Sequence, residues 1–274
     1  MNVFDSMMAA YKIQSDADYQ NALHEVMQKI TLAGLHRANF FKHAAFYGGT
    51  CLHLFHHLPR FSEDMDFSLM KADASFTLLD YTDAILAEFK ALGREVSFEH
   101  KEKPRRSAIE SAFLKDNTAI YNLSFKTEKT VKIKIEVDTS PPLGFATANH
   151  TMLLPFSFVV RCFDFPCLFA GKLHALLFRN WKSRVKGRDW YDFEWYVKHR
   201  IKVDLPHFCQ RMNQSHPLQP LPQTVSDLKE LLKKRIATLN VGQAKDDVLP
   251  FITTYSDLDI WSQEYFLTLA EELV

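Results

Sequence analysis

Two short stretches of this 274-residue chain hold residues whose types and spacing suit work on phosphate and metal. The first, Phe46-Tyr47-Gly48-Gly49-Thr50, reads as a strand that turns sharply into a helix, because neither glycine carries a Cβ to clash. Thr50 then falls near the first turn of that helix, where free backbone N–H groups and the positive dipole end attract phosphate. The second, Arg60-Phe61-Ser62-Glu63-Asp64-Met65-Asp66-Phe67, places two aspartates two residues apart in a run that reads as a strand. Both carboxylates therefore project from one face, while Met65, Phe67 and Leu69 project from the other and can enter a core. A phosphate cradle with an acidic pair is the apparatus for holding a nucleoside triphosphate with a divalent metal such as Mg²⁺. Either stretch alone is weak, since a Gly-Gly pair is commonly only a turn and an Asp-x-Asp only a solvated edge. Their order, with one helix between, makes the argument.

Further residues fit the same chemistry. A third carboxylate should come from a neighbouring strand, and Glu136 is the first candidate, on the polar face of an otherwise apolar strand. Asp138 shares that face and is the reserve; the alternative is a solvated hairpin face on which Lys132 and Lys134 pair with the acids. Ser62, at the strand parity of Asp64, can bind a phosphate oxygen or orient that aspartate. Arg60 can reach a triphosphate or pair with Glu63 or Asp64. Lys172, beside the apolar Leu173, Leu176 and Leu177, would ordinarily extend its amine to solvent. Asp189 can hold a lysine or nucleotide group, cap a helix, or do both. Basic runs at 100–106 and 181–188 read as solvated tips or as cationic rims for phosphate.

The pattern Gly-Gly, short helix, Asp-x-Asp resembles the nucleotidyltransferase superfamily that includes DNA polymerase β. The fuller strings, Gly48-Gly49-Thr50 with Leu52, Arg60 through Phe67, Gly171-Lys172-Leu173-His174-Ala175 and Arg188-Asp189-Trp190-Tyr191-Asp192, resemble the AbiEii/AbiGii toxin family of bacterial toxin–antitoxin and abortive-infection systems. The resemblance covers most of residues 40–200. It implies catalysis by Asp64, Asp66, Glu136, Lys172 and Asp189, with Asp64, Asp66 and Glu136 holding Mg²⁺, or Mn²⁺ in its place. It further implies that Gly48, Gly49, Thr50, Arg60, Ser62 and Lys172 bind the nucleoside triphosphate. An RNA acceptor, tRNA in type, and an antitoxin encoded nearby follow from the same likeness. The chemistry of the residues alone supports transfer to some nucleophile, a protein hydroxyl included. A glycosyltransferase also uses Asp-x-Asp, but it leaves the Gly-Gly turn and the lysine motif unexplained. A non-catalytic relative should have lost part of the charged set.

The elements that must position these groups are legible in outline. Apolar spacing predicts a helix over 16–38, a strand at 44–47, a helix over 50–57 stopped by Pro59, and a helix over 75–92. Strict alternation predicts strands at 118–126 and 131–138, a hairpin with Val131, Ile133, Ile135 and Val137 facing inward. Residues 156–163 read as the last strand or as the hinge between domains, and helices are predicted at 168–181, 189–198, 225–239 and 258–273. The expected architecture is α+β: a mixed sheet flanked by helices in residues 1–158, then a helical domain in 159–274.

Composition agrees with a globular chain, 47% hydrophobic and 24% charged. Lys+Arg and Asp+Glu are equal at 33 each, so any nucleic-acid surface must be a local patch. The four cysteines fit no zinc spacing and read as reduced, structural thiols. No signal-peptide pattern or membrane-length apolar run is present, so a cytoplasmic protein is expected.

Overall fold

The computed structural model describes residues 2–101, 118–125, 131–179 and 185–274. The turn read at 127–130, most of the basic loop at 100–106, and residues 181–184 of the later basic run lie outside them. The chain forms two compact units that interleave in sequence. Residues 1–51, 63–141 and 147–162 make the first, and residues 52–62, 142–146 and 163–274 make the second.

The first unit opens with α1 (Val3–Met8) and α2 (Asp16–Arg37). Ser15 caps α2 by accepting the Asp18 N–H, and the predicted stripe of Leu23, Val26, Met27, Ile30 and Leu35 is fully buried. β1 (Ala44–Tyr47) runs straight into α3 (Gly48–His56). β2 (Met65–Leu69) returns antiparallel to β1 and sets Asp66 opposite Tyr47. A short 3-10 turn, Leu78–Tyr81, leads into α4 (Thr82–Ala91). The remaining strands are β3 (Val96–Lys101), β4 (Thr118–Phe125), β5 (Val131–Asp138), β6 (Thr147–Met152) and β7 (Phe158–Phe163).

Among the described residues seven strands form one mixed sheet in the order β3-β4-β5-β2-β1-β7-β6. β4 and β5 pair as the expected hairpin, Thr118 opposite Asp138 and Phe125 opposite Val131. β5 then lies parallel to β2, which puts the two acidic strands side by side near the middle of the sheet. The parallel pairing is possible because α4, β3 and β4 intervene in sequence and carry the chain across. The core against β2 is aromatic: Phe67 stacks on Phe46 at 4.9 Å and meets Phe40 edge-on at 5.0 Å. Each such ring stabilises the fold by roughly 1.5–3 kcal/mol through burial. Period-two alternation fixes the consequence, because a buried Phe67 forces Asp66 to the opposite face. β6 was not expected; its Thr-Ala-Asn-His-Thr-Met sequence lies at the sheet's edge with little apolar alternation to betray it.

The second unit is helical apart from its connecting segments: α5 (Phe165–Phe178), α6 (Gly187–Lys198), α7 (Leu205–Ser215), α8 (Val225–Ile236), α9 (Val241–Val248) and α10 (Gln263–Glu271). α5 starts earlier than predicted because Asp164 accepts the Cys167 N–H at 3.0 Å and Pro166 sits in the first turn. Lys172 therefore lies mid-helix. α7 repeats this device with Asp204 and Pro206, a signal present in the sequence but not read. α5 and α6 meet through Phe169 and Tyr196, stacked at 4.5 Å. All four cysteines are free thiols, with Cys51, Cys162 and Cys167 buried. Among the described residues no helix is long and apolar enough to cross a membrane.

Gly34 marks where α2 and α4 approach most closely, since a Cβ there would lie 2.6 Å from the Ile85 Cα. Gly34→Ala is expected to wedge the helices apart and destabilise the fold by about 1–3 kcal/mol, read as a lowered urea midpoint. An unchanged midpoint would mean that the two helices can separate without loss.

Candidate active site

In the first unit the two sequence motifs meet at one contact. Gly48 has a φ of 82°. A Cβ built on it would stand 2.5 Å from the Asp66 Oδ2, so the space a side chain would take belongs to the aspartate. Gly49 follows in the first turn of α3, where the helix's own backbone N–H groups lack intrahelical partners. Thr50 is fully buried, and its hydroxyl donates to the Asp64 carbonyl. Thr50 thereby ties the start of α3 to the residue before β2.

Asp66 and Glu136 are Cα partners across the parallel β2–β5 pair, so their side chains leave the same face of adjacent strands. Asp138 pairs with Ser68, farther along β2, and its carboxylate accepts the Ser140 N–H at 3.1 Å. The register thus brings Glu136 beside the acidic pair and carries Asp138 past it. Lys134 shares the Glu136 face and reaches its Oε1 at 2.9 Å. Burial would weaken the charged state of Lys134, but its bond to Glu136 and the nearby Asp64 and Asp66 outweigh that and raise its pKa. The carboxylates do not form a preformed cage, for among the described residues no three His, Cys, Asp or Glu groups converge as metal ligands.

The second unit gathers a different set. Arg60 is buried, with Nε and Nη2 donating to Asp192 at 2.6 and 2.7 Å and Nη1 donating to the Phe61 carbonyl. Its segment is pinned by a backbone bridge to Ile252 and by the Phe61 N–H on the Phe251 carbonyl at 2.7 Å. Arg60, expected to reach a triphosphate or to pair with Glu63 or Asp64, pairs with Asp192, and three of its five N–H donors are engaged inside the unit. Ser62 is buried on the same segment. Lys172, its side chain 13% exposed, lies 2.7 Å from both Asp189 and Asp192. The sequence expectation for the Lys172–Asp189 contact is met in this geometry, with Asp192 as a further partner.

Asp189 and Asp192 stand three apart on α6 and so share a face. Asp189 is in the first turn rather than at the cap, which is Lys186, so the capping role considered for it is corrected. Burial would raise the Asp189 carboxyl, but Lys172 and then Arg179 overcome it and hold the pKa down to about 2. Asp192 is likewise held below its usual range against burial by Arg60 and Lys172. Two cations and two carboxylates thus neutralise one another inside the unit. Asp192 stood in the motif string without an assigned role; its spacing from Asp189 was the available signal. The His53 Nδ1 is 2.8 Å from the Leu58 carbonyl, and the His56 ring lies 4.0 Å from that of Phe165.

One family is matched by sequence. The family model described as "Nucleotidyl transferase AbiEii toxin, Type IV TA system" matches residues 30–268. No curated protein sequence matches the chain. Among solved structures, JHP933 from Helicobacter pylori is 18% identical, with 92% of this chain and 90% of that one covered and a TM-score of 0.54. MenT4, a nucleotidyltransferase toxin from Mycobacterium tuberculosis H37Rv, is 15% identical, with 98% and 90% covered and a TM-score of 0.59. At such identities the likeness is one of fold, the mixed sheet with flanking helices described above.

Removing one partner of the buried charge set should be costly. Asp192→Asn would leave Arg60 and Lys172 undercompensated and lower stability by about 3–5 kcal/mol, measured by urea unfolding. Depressed carboxylate pKa values stabilise the fold above the unfolded-state value and lose that contribution as pH falls through the folded one. The cluster's stabilisation should therefore be complete above about pH 4, the ordinary aspartate value, and decline toward the Asp189 pKa of about 2. A wild-type acid-unfolding curve that Asp189→Asn leaves unchanged between those limits would remove Asp189 from that account.

Proposed function

The chain belongs to the AbiEii nucleotidyltransferase toxin family, and from that premise we propose that it moves nucleotides from a nucleoside triphosphate to an RNA acceptor of the tRNA type. Membership itself makes it a nucleotidyltransferase toxin of a type IV toxin–antitoxin system. The donor triphosphate, the acceptor, the metal and an antitoxin encoded nearby are the finer parts of the proposal.

The observation that carries it is the placement of Asp66 beside Glu136, with the bare Cα of Gly48 against Asp66. Asp64, Asp66 and Glu136 offer the hard carboxylate oxygens that suit Mg²⁺ or Mn²⁺. When bound, a divalent ion would stabilise charge on the triphosphate and activate the attacking oxygen. The chain's own residues do the rest. Gly48 leaves room for Asp66, Thr50 holds the Asp64 backbone, and the first-turn amides of α3 at Gly48 and Gly49 are the donors proposed for phosphate. A lysine ammonium has three N–H donors, and Lys172 directs two of them at Asp189 and Asp192. Its third is the one proposed for a phosphate oxygen, with Asp189 fixing the amine's position. Ser62 is carried forward in the orienting role.

The test is incubation with each α-labelled nucleoside triphosphate, Mg²⁺ and total RNA, followed by separation of RNA and protein. Label is expected in RNA of tRNA size. Asp64→Asn or Asp66→Asn should cut transfer about a thousandfold, the loss of several kcal/mol of transition-state stabilisation. Label on protein alone would overturn the RNA acceptor, and full activity in both variants would overturn the metal ligands. Glu136→Gln should likewise stop transfer, with Asp138→Asn milder. The reverse order would move the third ligand to Asp138.

A further inference from the structure

Lys134 has no part in the function as described, yet it is the cation set directly among the acidic residues. β5 alternates strictly, so Lys134 and Glu136 leave the same face two residues apart. The β2–β5 register runs from Met65 beside Ile135 to Ser68 beside Asp138. Extended one residue toward the start of β2, it sets Lys134 beside Asp64. Asp64, Asp66, Lys134 and Glu136 are thus the corners of one patch, with three negative charges and one positive. The Lys134 Nζ is 2.9 Å from the Glu136 Oε1, and both side chains are only partly exposed, 37% and 24%.

We infer that Lys134 is the resident counter-ion of this carboxylate patch and that it competes with a divalent cation for Glu136. This rests on the metal-dependent reading above and concerns how that site is regulated. Two physical effects support the competition. An ammonium hydrogen-bonded to the Glu136 Oε1 occupies one of the lone-pair directions that a hard divalent ion would use there. A unit positive charge a few ångströms from a divalent ion also opposes its binding electrostatically. Without metal, the lysine screens three like charges that would otherwise repel one another. When metal enters, Glu136 must change partner. Lys134 is in this sense a positioning residue: it holds Glu136 in the metal-free state and sets how much free metal is needed to recruit it.

The experiment is a Mn²⁺ titration of the full-length protein followed by electron paramagnetic resonance, with no nucleotide present. Lys134→Met keeps the aliphatic stem and removes the charge, and thermal melts in EDTA establish that it folds. It should bind Mn²⁺ about tenfold more tightly than wild type, the order expected for removing a neighbouring positive charge. Lys134→Arg should stay within threefold of wild type, because it retains the cation. Introduced into a Glu136→Gln protein, the same Lys134→Met change should alter affinity less than threefold. A gain under threefold in the first comparison, or any loss, would overturn the inference. So would an equal gain in both backgrounds, which would mean that the lysine repels the ion without holding Glu136. Absence of Mn²⁺ binding in every variant at millimolar metal would overturn the inference and the metal reading together, whereas equal binding in all would overturn only the competition.

Discussion

The first unit is built around a missing atom. Asp66 can occupy its position on β2 because Gly48 presents no Cβ to the face that the carboxylate uses. That constraint reaches in both directions along the chain. Upstream, β1 must end at Tyr47 and turn with a positive φ, which glycine adopts at little cost. Downstream, Phe67 must be buried against Phe46 and Phe40, since only then does alternation direct Asp66 outward. The pairing of Tyr47 with Asp66 and of Asp66 with Glu136 then places three strands' worth of backbone under one side chain. Aromatic burial thus supplies the energy, and the glycine supplies the room.

The charges of the second unit follow a different logic. Arg60, Lys172, Asp189 and Asp192 neutralise one another in a largely dry setting, where desolvation offsets most of the attraction. Such a set contributes less to net stability than its short distances suggest. Its effect is on geometry: two carboxylates on one face of α6 fix where the α5 lysine and the Arg60 segment can lie. A rearranged packing would strand a charge, and that penalty exceeds the gain the network offers when intact.

Much of the sheet was legible because its strands are strongly patterned. The Val131, Ile133, Ile135 and Val137 series and the Gly48-Gly49 turn leave few alternatives, and a buried Phe67 with an inward β5 fixes the faces from which Asp66 and Glu136 leave, whereas alternation alone leaves Glu136 and Asp138 equivalent and only the β2–β5 pairing sets Glu136 opposite Asp66. Other features turned on long-range partners that local pattern does not encode. The Thr50 hydroxyl is tied to the Asp64 backbone, and Arg60, read as reaching a triphosphate or pairing with Glu63 or Asp64, is bonded to Asp192, a residue that helix spacing alone could only place near Asp189. The start of α5 was missed for a local reason, the unread pairing of Asp164 with Pro166. β6 was missed because an edge strand can form from backbone hydrogen bonds with little side-chain signature.

Interleaving of the two units has a consequence for synthesis on the ribosome. Arg60 and its partner Asp192 are 132 residues apart in sequence, and the intervening chain includes most of the sheet. At about 5–20 residues per second, the arginine would leave the ribosome roughly 7–26 seconds before the carboxylate that neutralises it. Until then residues 52–62 have no finished unit to join, although the segments flanking them belong to the sheet. The nascent chain must therefore hold a charged, unpaired insert in water while strands form on either side. A message truncated before α6 would leave that insert without its counter-charge, so the sheet and the Arg60 segment cannot mature as one independent N-terminal piece.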